Sequence, residues 1–337
     1  CGARFPLWRK EDALPTTGPK PWSLRKSESI EHAPGCLEES AVERVGETVI
    51  VRKTEKVIRR AYTHWQKVVF QLPIHAGDSL VLLKDELSGS GELKNVLERK
   101  KKLFELGEAL LSGVETVSSV TGGAIFSPHA MTSILRPITR WFCADQFQAG
   151  ASPLIPFRRQ AGWQPVFSPV ISITDDATLP WGEPREPFDA EGSLALKSPL
   201  VVSGIPTSLL YDSYHSAKDN RLTTGNLWVP EGETFPRIMP SAFFIEPGAN
   251  ACAAMQQELR EGFLVEQLDG FEMTSPTRWE ARLLGHQVQA GKLARPFVSA
   301  RLSFDSGELL RAATGVANDT AFTAGFGSPS IFFRNLP

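Results

Sequence analysis

From Val166 to the last residue the chain alternates short apolar stretches with turn residues, and this pattern restricts its fold more than any other. The stretches include VFSPVISITDD, RIMPSAFFIEPG, EGFLVEQLDGFEM and SARLSF. Their Val, Ile, Leu and Phe content, with Gly, Pro and Asp between them, is typical of strands joined by turns. Helices are predicted to interrupt the strands only at about 251–261 and 305–312. The pattern therefore predicts a β-rich unit.

The earlier part of the chain places strands ahead of two helices. Apolar stretches at 46–60, 62–72 and 79–84 predict strands, the first either as one strand or as two joined by a turn near Thr54. Apolar residues recur at three- and four-residue steps over 92–112, which predicts a helix with most of them on one face. These residues are Leu93, Val96, Leu97, Leu103, Leu106, Leu110 and Leu111.

A second helix is predicted to begin after Ser127. Ser127 and Pro128 are a favourable N-cap and first-turn pair, and the helix extends to about Trp141, with Pro137 expected to kink it or end it early. The side chains predicted to face inward are Met131, Ile134, Leu135 and Ile138.

These two halves predict an α+β fold, because the regular βα alternation of a parallel α/β protein is lacking. We assign residues 1–145 to an α+β N-terminal domain and residues 146–337 to a β-rich C-terminal domain. Residues 1–36, rich in Pro, Trp and charge, are predicted to be irregular, and 143–165 to be a linker.

Charge and cysteine content narrow the function classes. The net charge of −2 gives no global basic field and argues against nucleic acid as a partner. No apolar run approaches the roughly 20 residues that span a bilayer.

The four cysteines are far apart, which argues against a cysteine zinc site and is typical of reduced thiols in the cytoplasm. The first residue, Cys1, fits either a lipidated or a trimmed N-terminus, and we prefer the latter because no signal segment is visible.

A string of motifs in a fixed order resembles the TldD/PmbA family. It begins with DDATLPWGEPREPFDAEG at 175–192. LYDSYHSAK, TGN, EGFLVEQLDG, LGHQVQAGKLARP, VANDTAF and PSIFF follow it. The resemblance covers about half of the chain, from roughly Gly150 to the end, and the first hundred residues are shorter than the N-terminal domain usual in the family.

The polar residues of these motifs are family-signature residues of unknown role. They are Asp175, Asp176, Asp189, Glu191, Asn226, Asn318 and Asp319. The first four could bind a hard cation or act in acid–base chemistry. Alternatively, Asp and Glu beside Pro and Gly cap turns by accepting backbone hydrogen bonds, which is the interpretation that we favour.

The catalytic branch of the family carries a His-Glu-x-x-x-His or similar helix, whose spacing lets two imidazoles reach one metal while the glutamate acts as base. The corresponding helix here offers His129, then Ala130, with Ser133 and Ile134 where a second ligand would lie. The FTAGFGSPS stretch also lacks the cysteine of that branch. The departures indicate the TldE/PmbA-like, non-catalytic branch. His129 is a weak metal candidate, and we prefer to interpret it as a structural histidine.

The resemblance implies a subunit of a TldD/TldE-type metallopeptidase complex that acts on unfolded or leader peptides in the cytoplasm. Zinc is expected in a TldD-like partner subunit and none in this chain, with a homodimer as the other possible assembly. An exposed strand edge could hold the peptide by strand addition. Two alternatives stay open: an active metallopeptidase with atypical ligands, and a non-enzymatic regulator of DNA gyrase.

Overall fold

The computed structural model describes residues 38–52, 57–76, 79–90, 93, 95–179, 187–230 and 233–337. The irregular segment predicted for 1–36 lies outside these ranges. Among the described residues, no helix is both long and apolar enough to cross a bilayer.

The described chain contains six α-helices and short 3-10 turns at Thr139–Phe142 and Ile155–Phe157. The helices are α1 (Val96–Ser112), α2 (Pro128–Ile138), α3 (Ala144–Gln148), α4 (Ser213–Lys218), α5 (Cys252–Leu259) and α6 (Ser306–Ala312).

Strands are more numerous than helices. They are β1 (Glu38–Arg52), β2 (Val57–Ala76), β3 (Ser79–Ser90), β4 (Glu115–Val117), β5 (Ala124–Phe126), β6 (Arg158–Arg159), β7 (Gly162–Trp163), β8 (Ile173–Asp176), β9 (Lys197–Val202), β10 (Ile205–Pro206), β11 (Leu227–Trp228), β12 (Arg237–Ile238), β13 (Phe243–Ile245), β14 (Gly262–Met273), β15 (Arg278–Gln289), β16 (Lys292–Ser299), β17 (Leu302–Asp305), β18 (Ala313–Val316), β19 (Ala321–Thr323), β20 (Phe326–Ser328) and β21 (Ile331–Phe333). The predicted α+β class is confirmed.

The first three strands form an antiparallel sheet in the order β1-β2-β3. Arg52 pairs with Val57, so of the two possibilities left open for 46–60 the structure has two strands, and the second continues through the strand predicted at 62–72. The helix α1 covers this sheet and buries Leu103, Leu106 and Leu110.

Two leucines of the apolar pattern in α1 are exposed. Leu97 is 80% exposed and Leu111 is 55% exposed. At about 100° per residue, Leu97 lies roughly 120° around the helix from Leu103, beyond the face that the sheet covers. The other five apolar residues of the pattern are buried or half-buried, so the prediction that most of them lie on one face is confirmed.

Two larger sheets contain most of the remaining strands among the described residues. One has six strands in the order β10-β9-β8-β13-β20-β19, and the other runs β18-β21-β5-β14-β15-β16-β4, with β17 paired to β15. The second sheet takes β4 and β5 from before residue 146, so strands from both sides of the predicted domain boundary share it. The division at that boundary stays a prediction.

The main core joins both larger sheets and α2. All four side chains predicted to face inward from α2 are buried. The helix ends at Ile138, one residue after Pro137, and continues as a 3-10 turn. A second core packs α1, β2 and β3 against Leu284 of β15 and Val298 of β16.

The segment predicted as a linker has structure of its own. It contains α3 and the small hairpin of β6 and β7, in which Arg158 pairs with Trp163. Elements this short carry too little periodicity to be recognised from sequence.

Candidate functional site

The first turn of α2 is held in place by its cap. Ser127 Oγ accepts a hydrogen bond from the Ala130 amide at 3.2 Å and donates one to the Glu266 carbonyl at 2.8 Å. The predicted N-cap is thus confirmed, and it also ties α2 to β14. His129 follows in the first turn, where the resemblance places the first metal ligand.

His129 faces a carboxylate rather than other metal ligands. Its Nδ1 lies 3.4 Å from Asp85 Oδ1 of β3. Ala130 and Ile134 are fully buried in the main core. Position 134, where a second histidine would lie, is therefore an apolar packing position.

Arg99 of α1 completes this cluster. Its Nε donates to Asp85 Oδ2 at 2.7 Å, and its Nη2 forms an ion pair with Asp85 Oδ1. The same guanidinium donates to the Phe322 carbonyl and to Thr323 Oγ1, each at 3.1 Å. We name Asp85, Arg99 and His129 the ion cluster.

The ion cluster brings together the two places at which the sequence departs from the catalytic pattern. One is the α2 helix, and the other is the FTAGFGSPS stretch, which begins at Phe322. Asp85 and Arg99 were missed by sequence analysis, because nothing local marks a contact between β3, α1 and β19.

Electrostatics keep Asp85 charged although it is buried. Burial by itself would raise the pKa of Asp85, but the neighbouring His129 and the hydrogen-bonded guanidinium of Arg99 outweigh it and hold that pKa well below its usual range. A carboxylate with two cationic or donor neighbours is a satisfied structural group rather than a free base.

The ligand set for a catalytic zinc is missing at α2. A catalytic zinc takes three protein ligands and a water. Among the described residues no group of three or more His, Cys, Asp and Glu side chains is placed to hold a metal. The residues around His129 therefore do not fit the metal that the catalytic branch would hold there.

Asp175 and Asn226 meet in the interior, although 51 residues separate them. Asn226 Nδ2 donates to Asp175 Oδ2 at 2.8 Å, and the Ser241 amide donates to Asp175 Oδ1 at 2.7 Å. Gly225 precedes Asn226 with φ +70°, and a Cβ there would lie 2.3 Å from the Leu194 carbonyl oxygen. The TGN motif is thus a tight turn that delivers an amide to a buried carboxylate.

Asp189 and Asp176 organise the loops around them. Asp189 accepts backbone hydrogen bonds from Glu191, Ser193 and Leu227 at 2.9–3.1 Å. Burial raises the pKa of Asp189 and outweighs the opposing effect of these backbone donors. Asp176 Oδ1 accepts from the Thr178 amide and hydroxyl.

The remaining signature residues, Glu191, Asn318 and Asp319, also close loops. Glu191 accepts from the Ser213 amide at 2.8 Å. Asp319 accepts from the Ser330 amide and hydroxyl, each at 2.7 Å, and the Asn318 amide donates to the Asn250 carbonyl. These contacts support turn and loop closure as the role of the signature residues, and that role stays a prediction.

Comparison with known proteins supports the family resemblance that the sequence motifs indicate. Residues 121–337 match the family model described as the PmbA/TldA metallopeptidase C-terminal domain. An uncharacterised protein of Methanocaldococcus jannaschii is 29% identical over 135 residues, which is 40% of this chain and 31% of that protein. The match thus spans about a third of that relative's length.

Two solved structures share the fold. TldE from Thermococcus kodakarensis has a TM-score of 0.75 at 16% identity, covering 88% of this chain and 68% of that chain. A proposed modulator of a DNA gyrase from Thermotoga maritima MSB8 has a TM-score of 0.73 at 17% identity, covering 89% and 67%. At these identities the likeness concerns the fold alone.

Proposed function

The chain belongs to the PmbA/TldA metallopeptidase family, and we propose that within it this chain is a TldE-like subunit without a metal site, working beside a TldD-type metallopeptidase subunit. The observation that supports this role is the ion cluster, in which Asp85 pairs with Arg99 and lies beside His129, where a metal site would need further ligands. Zinc and the attacking water would then belong to the partner subunit.

In this proposal the chain contributes a surface that holds unfolded peptide. The sheet of β1, β2 and β3 has two outer strands, of which β3 is blocked along part of its edge. The Leu82 amide donates to Asp269 Oδ1 at 3.2 Å and the Lys84 amide to Gln267 Oε1 at 3.1 Å, while Arg282 donates to the Leu80 carbonyl at 2.9 Å.

The opposite outer strand, β1, extends over 15 residues and pairs with β2 on one side. Among the described residues it has no second neighbouring strand. An extended peptide adds to such an edge through main-chain hydrogen bonds, which favour unfolded substrates of varied sequence. We therefore assign peptide binding to β1.

Metal content tests the absence of a metal site. We expect elemental mass spectrometry of the purified chain, after zinc loading and buffer exchange, to give far less than one zinc per chain, and His129→Ala to leave the value unchanged. One tightly held zinc that His129→Ala removes would contradict the proposal and favour the active metallopeptidase with atypical ligands.

Reconstitution tests the subunit role. An unfolded peptide should be cleaved when this chain is mixed with a TldD-type subunit encoded in the same genome, and by neither subunit alone. His129→Ala in this chain should leave that activity intact, while loss of the metal helix in the partner should abolish it. Full activity of the partner alone would reject the subunit role, and a change in gyrase supercoiling without any peptidase effect would favour the regulator.

A further inference from the structure

A pocket of about 230 Å³ lies away from the ion cluster, where the β6–β7 hairpin meets the chain on either side of α4. On the same measure one water needs about 10–15 Å³, so the pocket is large enough for a small organic group. Its lining includes Phe147, Arg158, Trp163, Tyr211, Asp219 and Arg221. None of the family motifs discussed above gives this pocket a role.

Two arginines supply positive charge without a carboxylate partner. Arg140 and Arg237 pair with Asp145 and Glu233, whereas neither Arg158 nor Arg221 forms an ion pair among the described residues. The single carboxylate of the pocket, Asp219, accepts a hydrogen bond from the Tyr211 hydroxyl at 2.8 Å. Two cations and one anion leave the lining with a net charge of +1.

Tyr211 stays a neutral donor. Burial, together with the hydrogen bond to Asp219, raises its pKa well above the usual value, while the charges of Arg221 and Arg158 act in the opposite direction. Tyr211 therefore adds no negative charge to the pocket.

Aromatic rings form one wall beside these charges. The guanidinium of Arg158 lies 5.2 Å from the centre of the Trp163 ring, and the Phe147 and Trp163 ring centroids are 5.4 Å apart. Stacking on Trp163 restrains Arg158 before any ligand arrives, which lowers the entropy lost on binding.

We propose that this pocket binds a monoanionic carboxylate with an attached apolar group, of the class to which the C-terminal residue of a peptide belongs. Arg158 and Arg221 would hold the carboxylate through charge-assisted hydrogen bonds, and the Phe147–Trp163 wall would contact the apolar group. Asp219 disfavours a dianion such as a phosphate monoester. The choice of a peptide end as the source rests on the proposed function, whereas the carboxylate chemistry does not.

Titration calorimetry on this chain alone tests the pocket independently of any partner subunit. N-acetyl-L-phenylalanine should bind saturably, and its C-terminal amide should bind about tenfold more weakly or worse, because a charged hydrogen bond is lost. Arg158→Ala and Arg221→Ala should each weaken binding about tenfold or more. Arg159→Ala is the matched control, since Arg159 is exposed like Arg158 but lies outside the pocket, and it should leave binding unchanged.

Three results would overturn the carboxylate pocket: no saturable binding, equal binding of acid and amide, or tighter binding of inorganic phosphate. Free phenylalanine separates the two sources of the same chemistry. Tighter binding of the N-acetyl compound supports a peptide end, and tighter binding of free phenylalanine rejects that assignment in favour of an amino acid.

Discussion

At the scale of single residues, the ion cluster is expected to contribute to the stability of the fold. Asp85→Asn keeps the shape of the side chain but leaves the Arg99 guanidinium in a partly buried place without a counter-charge. Removing one partner of a buried pair typically costs about 3–5 kcal/mol. We expect the free energy of unfolding, measured in urea at pH 7, to fall by about 3 kcal/mol. Glu98→Gln, on the exposed side of the same helix, should have little effect.

The pH dependence of stability follows from the same carboxylate. Because the pKa of Asp85 is depressed in the folded state, its contribution is fully present above the unfolded pKa of about 4 and is lost as pH falls below it. The unfolding free energy of the wild type should therefore decline from pH 5 toward pH 2 by more than that of Asp85→Asn. Equal slopes for the two proteins would show that Asp85 is not the group responsible.

Some residue-scale features could be predicted from sequence because they are local. Asp189 accepts from amides two and four residues ahead, and Ser127 caps the helix that it precedes. The pairing of Asp175 with Asn226 could not be predicted, because contacts between distant segments depend on the whole fold.

At the scale of elements, side chains from β14 and β15 bond to the outer edge of β3 in place of a neighbouring strand. Asp269→Ala together with Gln267→Ala removes the acceptors for the Leu82 and Lys84 amides. We expect hydrogen exchange of these two amides to accelerate, because each would then bond to water alone. The Leu72 amide, in the middle of β2, serves as the internal control and should be unchanged. Unaltered exchange at Leu82 and Lys84 would mean that their protection comes from burial instead.

A second prediction for the same sheet concerns peptide binding. Unfolded peptide should slow hydrogen exchange along β1, since added main-chain hydrogen bonds protect outward-facing amides. The amides of β3 should not respond. Protection confined to other strands would reject β1 as the binding edge.

Elements with strong periodicity were predicted well, and short ones were not. The helices α1 and α2 and the long hairpin of β14 and β15 follow patterns that sequence carries directly. α3 and α4 span five and six residues and were not anticipated, since such lengths hold little more than one turn. Strand order in the two larger sheets also could not be predicted, because pairings such as β13 with β20 join distant segments.

At the scale of the whole molecule, the second core couples the N-terminal sheet to the largest sheet. Leu284 belongs to β15 but packs with the side chains of α1, β2 and β3, and it is fully buried. Leu284→Ala should lower the free energy of unfolding by about 2–5 kcal/mol, as expected for a large-to-small core change. Leu293→Ala in β16, where the side chain is 50% exposed, should change it far less.

The same variant should also reveal whether the two parts unfold together. If they do, Leu284→Ala will accelerate hydrogen exchange in α1 and in β15 by the same factor, as one cooperative unit requires. Different factors would show that the N-terminal sheet opens independently of the rest.

The guanidinium of Arg99 also sets what a metal site built at α2 would require. Ala130→Glu with Ile134→His would create the ligand spacing of the catalytic branch, but a permanent cation would still share Asp85 with His129, and it would repel a divalent ion in a poorly hydrated place. We expect this double variant to take up no zinc until Arg99 is replaced as well. A site here therefore needs its ligands installed and its fixed positive charge removed together, because neither change alone gives a divalent ion a place to bind.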